Sequence, residues 1–320
     1  MLAVHDLPLG AVPFSHEFAG GAINVVLGRN RSGKTRLSRL LAGLESAAPG
    51  AIEIDGVDVT AAPPGERPVA LVYQAFVNYP NLTVFDNIAS PLKARRLAAS
   101  EIGERVERIA GRLRIDGLLD RLPAELSGGQ QQRLAIGRAL AKSARVLVMD
   151  EPLVNLDYKL REVLELELRT MLHEEGLTVV YTTSDPRDAF NLGDAVLLLE
   201  DHRLLQAGAP LDVYERPVSA AAADLMSDPG VNRFPDGGGI GVVRPEQLAL
   251  DPPPVACRAF ELEVVSVETN GSETYLHGRV GEGDHWVAKL QGLHRIDAGA
   301  RVTLHAPAES VLRFEVAAGG

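Results

Sequence analysis

Apolar residues fall along this chain in short blocks divided by charged or Gly- and Pro-bearing stretches. Ala22–Leu27, Val69–Tyr73, Val146–Met149, Thr178–Thr182 and Ala195–Leu199 are nearly continuous apolar runs, as in strands buried on both faces of a parallel sheet. Elsewhere the spacing turns helical. Leu160, Leu164, Leu168 and Leu172 recur every fourth residue and mark one face of a helix. From Ile102 to Arg114 charges dominate, with Glu101/Arg105 and Glu104/Arg108 four apart, which reads as a solvated helix laced with weak ion pairs. This alternation predicts an α/β domain with a mainly parallel sheet and flanking helices.

The pattern changes between Ala220 and Gly241. The stretch SDPGVNRFPDGGGIG is rich in turn formers and reads as a linker without regular structure. Beyond it, Phe260–Glu268, Thr274–Val280, Trp286–Leu290, Arg301–His305 and Val311–Val316 are short strands, whose spacing predicts a small all-β, OB-like barrel. The expected organisation is therefore a first domain over 1–228, with a helical subdomain at about 76–144, and a second domain over 229–320.

Composition narrows the function. The 320 residues carry a net charge of −11, which argues against nucleic acid as a partner, since phosphate backbones select basic surfaces. No apolar run approaches the roughly 18 to 20 residues needed to cross a bilayer. The N-terminal MLAVHDLPLG lacks a basic segment leading into an apolar one, so no signal peptide is expected and any membrane role is peripheral. The single cysteine, Cys257, cannot form an internal disulfide and is expected to be packed.

The chemistry lies in two segments. Gly28-Arg29-Asn30-Arg31-Ser32-Gly33-Lys34-Thr35 fits G-x-x-x-x-G-K-[ST] between an apolar strand and the helical RLSRLLAGL. Glycines there let backbone N–H groups wrap phosphate oxygens at a positive helix N-terminus. Lys34 is placed to bridge the β- and γ-phosphates, and the Thr35 hydroxyl to ligate Mg²⁺. Downstream, Arg145–Glu151 (RVLVMDE) is a buried strand ending in two carboxylates. Asp150 can hold the Mg²⁺ shell, and Glu151 can polarise an attacking water. These segments together describe a P-loop ATPase or GTPase.

Leu126-Ser127-Gly128-Gly129-Gln130, followed by Gln-Gln-Arg and a helix, resembles the signature motif of ABC transporter ATPases, and this likeness chooses between the two. It implies ATP as the nucleotide. It also implies that Ser127, Gly129 and Gln130 bind the γ-phosphate held by a second subunit, so the working unit is a dimer. Gln74 resembles the family's Q-loop glutamine, reaching Mg²⁺ and the attacking water, and Asn155-Leu156-Asp157 resembles its D-loop. The implied nucleotide contacts are Gly28, Asn30, Ser32, Gly33, Lys34, Thr35, Asp150, Ser127, Gly129, Gln130 and Asp157. The implied metal residues are Thr35, Gln74 and Asp150, and the implied catalytic ones Glu151, Gln74 and Ser184.

VRPEQLAL (Val243–Leu250) and the β-rich tail look like the regulatory (TOBE-like) barrel of sugar and polyol importer ATPases. VYQAFVNYPNLTVFDNIASPL (Val72–Leu92) is similar to ATPases of glycerol-type importers. The implied partners are a second ATP-binding subunit, identical or paralogous, two membrane-spanning permeases and, indirectly, a solute-binding protein. The implied place is the cytoplasmic face of the plasma (inner) membrane. Tyr79, Phe85 and Leu92 either form a groove for a permease helix or belong to the local core.

Two positions depart from the pattern. Where the family usually has a switch histidine before Asp, this chain has Ser184, which donates one hydrogen bond but carries no cation. Only 27 residues precede Gly28, so the strand pair that would present an aromatic to adenine is short; His5 and Phe14 either stack on the base or belong to that sheet. An importer ATPase is the main expectation. A degenerate nucleotide-binding subunit paired with a more active ATPase is the second, with Ser184 as its mark.

Overall fold

The computed structural model describes residues 1–75, 77–154, 158–281, 283 and 285–315, with the side chains of 158–160 and 163 left out. The chain divides into two compact units, Met1–Val213 and Tyr214–Gly320.

The first unit opens with β1 (Leu2–Leu7), β2 (Phe14–Phe18), β3 (Ile23–Leu27), α1 (Lys34–Ala42), β4 (Ile52–Ile54) and β5 (Val57–Asp58). It continues with β6 (Val69–Val72), α2 (Val84–Ala94), α3 (Ala99–Arg112), α4 (Gly128–Ala141), β7 (Val146–Asp150), α5 (Tyr158–Glu175) and β8 (Thr178–Thr183). It closes with α6 (Pro186–Leu192), β9 (Ala195–Glu200), β10 (Arg203–Gly208) and the start of α7 (Pro210–Glu215). The main sheet has the order β10-β9-β3-β8-β7-β6, parallel throughout except for β10. A smaller antiparallel sheet has the order β2-β1-β4-β5.

Every residue of β3, β7 and β8 is buried, which is why these strands lack polar alternation. Both sheets and α1 share one core, in which Leu2, Phe14, Phe18, Leu37, Leu41 and Val148 meet. Register aligns the strand ends: Leu27 pairs with Thr183 and Thr182 with Asp150. The segments leaving β3, β7 and β8 therefore emerge together at the carboxyl edge of the sheet, where parallel α/β folds place their ligands.

Three helices, α2 to α4, lie in the chain between β6 and β7. Thr83 caps α2 by accepting from the Asp86 N–H. The charged helix expected around Ile102–Arg114 is α3, but it is not solvated all round. Ile102, Val106 and Ala110 are buried on one face, while Arg105 and Glu101 pair at 2.7 Å on the other. Along α5, Leu164, Leu168 and Leu172 are buried as their spacing predicts.

The second unit contains α8 (Ala220–Leu225), β11 (Asn232–Asp236), β12 (Gly239–Val243), β13 (Cys257–Thr269), β14 (Glu273–Val280), β15 (His285–Gln291), β16 (Arg301–Pro307) and β17 (Leu312–Glu315). The expected all-β domain is built from antiparallel strands in two sheets, β11-β12-β17 and β15-β14-β13-β16. They share a core in which Phe260 stands between Phe234 and Trp286, at centroid distances of 4.9 and 4.8 Å.

Part of the stretch read as a linker is a hairpin. β11 and β12 pair from Asn232↔Val243 to Asp236↔Gly239, leaving Gly237 and Gly238 as the turn at φ 58° and 91°. A two-residue type I′ hairpin turn requires positive φ at both positions, so the glycines that read as linker in the sequence instead build the turn. The compact unit includes the segment from Tyr214 onward. Arg244 donates to the Tyr214 carbonyl and stacks over its ring at 3.7 Å, which ties the segment before residue 229 to the β unit. Cys257 was expected to be packed. It is exposed, because it opens β13 on a face where alternate residues point outward.

Candidate active site

The loop from Gly28 to Gly33 is shaped by close approach. The Gly28 N–H donates to the Thr183 carbonyl (3.1 Å), and a Cβ at Gly28 would fall 2.3 Å from the Leu199 carbonyl oxygen. Gly33, at φ 105°, starts α1 without a side-chain cap, so the helix N-terminus faces outward with no competing side-chain acceptor.

Lys34 is only 4% exposed. Its Nζ donates to the carbonyls of Gly28 (2.6 Å) and Arg29 (2.9 Å) and lies 3.2 Å from Glu151 Oε1. Asp150, at the end of β7, accepts at one oxygen from three hydroxyls: Thr182 (2.8 Å), Thr35 (3.3 Å) and Ser38 (3.4 Å). Glu151 turns away from the strand at φ 46°, with its N–H held by the Thr182 carbonyl (3.1 Å) and hydroxyl (3.2 Å). Ser32 Oγ is buried without a hydrogen-bond partner. An orphaned donor beside a buried lysine and an uncapped helix start suits an anion. The carboxylate and hydroxyl oxygens of Asp150 and Thr35 are the hard donors that magnesium prefers.

Asn30, Gly33, Lys34, Thr35, Gln74 and Glu151 line one cavity of about 430 Å³. Six of the residues singled out in the sequence are thus brought together, with Asp150 buried behind Thr35. Ser127, Gly129 and Gln130 stand apart from this cavity at the start of α4. There the Ser127 N–H donates to Gln130 Oε1 (3.0 Å) and the Gln130 N–H donates to Ser127 Oγ (3.4 Å), a reciprocal cap. Ser184 follows β8, exposed and outside the cavity lining. Asn155, Leu156 and Asp157 lie outside the described residues.

Neither aromatic considered for the base lies at the cavity. Phe14 is 2% exposed within the core. His5 is exposed, with its Nε2 3.9 Å from Glu53. The cavity wall does carry a histidine that the sequence reading passed over, His202, in the turn between β9 and β10. Of the three groove candidates, Leu92 is fully buried core. Tyr79 is 48% exposed and lines a separate groove with Tyr73, Pro91, Arg138 and Lys142.

An ion cluster beside Ser184 was also missed. Arg161 contacts Glu165 (2.7 Å), Asp188 (2.6 Å) and Asp185 (3.0 Å). Thr183 donates to Asp188 and accepts from the Asp185 N–H (3.0 Å). Burial pushes the Asp188 carboxyl up to about 6, against the opposing pull of Thr183 and Arg161. The sequence signal was present as Arg161/Glu165 four apart on one helical face and as Asp185 and Asp188 at the start of the next helix.

Residues 13–154 match the ABC transporter family, and residues 241–314 match the TOBE domain. The xylose/arabinose import ATP-binding protein of Haloferax volcanii is 35% identical, over 92% of this chain and 85% of its own. The sn-glycerol-3-phosphate import ATP-binding proteins of Rhizobium etli and Cupriavidus necator are 35% and 36% identical. These cover 94% and 93% of this chain, and 91% and 90% of their own. Among solved structures, cbiO1 from Clostridium perfringens, part of an ABC transporter complex, superposes with a TM-score of 0.61 at 24% identity, over 67% of this chain and 90% of its own. A dimeric ATP-binding cassette bound to ADP and phosphate gives 0.57 at 24% identity, over 66% and 99%. At that identity the two structures speak for the fold, while the longer sequence matches carry the family. Phosphate loop, paired carboxylates, signature helix and appended β unit all agree with them, and the chain belongs to the ABC transporter family as an ATP-binding, ATP-hydrolysing subunit.

Proposed function

We propose that this subunit energises import of a carbohydrate or polyol, closing with a second ATP-binding subunit, identical or paralogous, around two nucleotides. The carrying observation is the convergence of Lys34, Thr35, Gln74 and Glu151 on one cavity. Lys34 exchanges its contacts with backbone carbonyls and Glu151 for phosphate oxygens. Glu151, released from the lysine, is placed to accept a proton from the attacking water. Thr35, Asp150 and Gln74 would hold a magnesium ion, which supplies charge neutralisation to the phosphates.

The names of the relatives support import of a sugar or a glycerol phosphate. Among the described residues no helix is long and apolar enough to cross a membrane, which fits a peripheral subunit at the cytoplasmic face working with two permeases and, through them, a solute-binding protein. The groove of about 480 Å³ bearing Tyr73 and Tyr79 is suited to a permease helix. Its wall and the nucleotide cavity are adjacent in sequence, because Tyr73 lines the first and Gln74 the second. Movement at one is thereby linked to the other through a single peptide unit.

Glu151→Gln keeps the shape of the side chain and removes the base. It is expected to lower ATP turnover by about 10²-fold or more and to retain a nucleotide-bound dimer in size-exclusion chromatography with ATP. Unchanged turnover would count against Glu151 as the base, and the absence of an ATP-dependent dimer would favour a nucleotide-binding structural subunit.

A further inference from the structure

The phosphates are provided for in this site, but the base is not. The β1–β2 loop, Pro8-Leu9-Gly10-Ala11-Val12-Pro13, holds no aromatic residue, and Phe14 is committed to the core. Among the described residues lining the nucleotide cavity, His202 supplies the one aromatic ring.

His202 is fixed there from several sides. β9 and β10 pair at Glu200↔Arg203, so Asp201 and His202 are a two-residue hairpin turn, at φ 46° and 64°. Glycine or asparagine is the favoured second residue in such a turn. A histidine held there at positive φ is a local cost, of the kind that collects at functional sites. The turn is tied to the phosphate loop, since the His202 N–H donates to the Ser32 carbonyl (3.0 Å). The side chain runs between that loop and the β1–β2 loop. A Cβ at Gly33 would come 2.8 Å from His202 Cδ2, and a Cβ at Gly10 would come 2.4 Å from His202 Cβ. Two glycines thus leave room for the imidazole. The neighbouring Arg36, which could offer a flat guanidinium, is committed to the Leu9 carbonyl (3.0 Å) and Glu45 (3.3 Å).

We infer that His202 is the residue on which the nucleotide base stacks, standing in from the β9–β10 turn for an aromatic on the β1–β2 loop. This rests on the nucleotide-site reading and adds to it the base-recognising group. Stacking on a π-face tolerates any base, so the ring supplies affinity and places the base without choosing strongly between purines.

The test is binding of ATP and of inorganic tripolyphosphate to the full chain, for His202→Asn and His202→Gly. Both replacements suit positive φ, so melting temperature is expected to hold or rise. Loss of a stacking partner is expected to weaken ATP binding about tenfold or more, leaving tripolyphosphate affinity unchanged. ATP affinity equal to wild type in either variant would overturn the assignment. Parallel loss of ATP and tripolyphosphate would also overturn it, by showing that His202 acts through the phosphate loop. A wild-type chain binding neither ligand would instead sink the nucleotide-site reading itself.

Discussion

Two helix N-termini in this subunit resemble one another in charge and differ in how they are finished. α1 begins at Gly33, with no side chain on its first N–H groups and a buried lysine as its first residue. α4 begins at Ser127, whose hydroxyl and backbone are occupied by Gln130 in a reciprocal cap. Both ends carry the partial positive charge of the helix dipole. The first has no side-chain competitor for an anion, whereas the second satisfies itself until something displaces the 3.4 Å bond from the Gln130 N–H to Ser127. The contrast suits a division of labour. On the proposed reading, the α1 end captures nucleotide within one chain, and the α4 end responds when a partner brings a phosphate to it.

Lys34→Ala breaks the first half of that comparison and carries the largest expected effect. It removes the cation buried between the Gly28 carbonyl and Glu151. Glu151 is left without its counter-charge and the phosphates without theirs. ATP turnover is expected to fall by about 10²- to 10³-fold, as when a preorganised donor is lost from a reacting oxyanion, and calorimetry should show nucleotide affinity falling with it. Retained affinity would mean that backbone amides alone hold the phosphates.

Ser127→Ala addresses the second half and should be milder. Loss of the cap is expected to cost about 1 kcal/mol of stability, read from the denaturant midpoint. Nucleotide affinity of the isolated subunit should stay unchanged, while turnover of the assembled transporter drops roughly tenfold, matching one lost hydrogen bond to a charged group. A fall in affinity already in the isolated subunit would show that the two helix ends do not act separately.

The contrast also explains what the sequence could show. The α1 site was legible because its parts are local: Gly28 to Thr35 are contiguous, and Asp150 and Glu151 close a strand whose apolar run announces it. The same holds for the helical face of Leu164, Leu168 and Leu172. Groups placed by register were not legible. His202 reaches the cavity because β9 pairs with β3 and carries its turn over Gly33, a neighbour far away in sequence. The hairpin of β11 and β12 was hidden because its turn glycines and Pro235 resemble linker composition, and only pairing with β17 reveals a sheet. Arg161 and Asp188 belong to different helices and meet only through tertiary packing.

Ser184, exposed and outside the cavity lining, is neither built like α1 nor self-capped like α4. It follows β8 at a point where the backbone is held firmly. Thr183 donates to Asp188, the Asp185 N–H donates back to Thr183, and Arg161 gathers both carboxylates. What the position lacks is reach and charge, since serine ends in a short neutral hydroxyl. On the proposed reading, Ser184→His supplies both from a backbone that need not move. A charge-assisted bond to phosphate exceeds a neutral one by about 1 kcal/mol, so turnover of the assembled transporter should rise about fivefold. Nucleotide affinity of the isolated subunit should change little. Unchanged turnover would show that Ser184 does not limit the reaction, leaving Glu151 as the group that sets its pace.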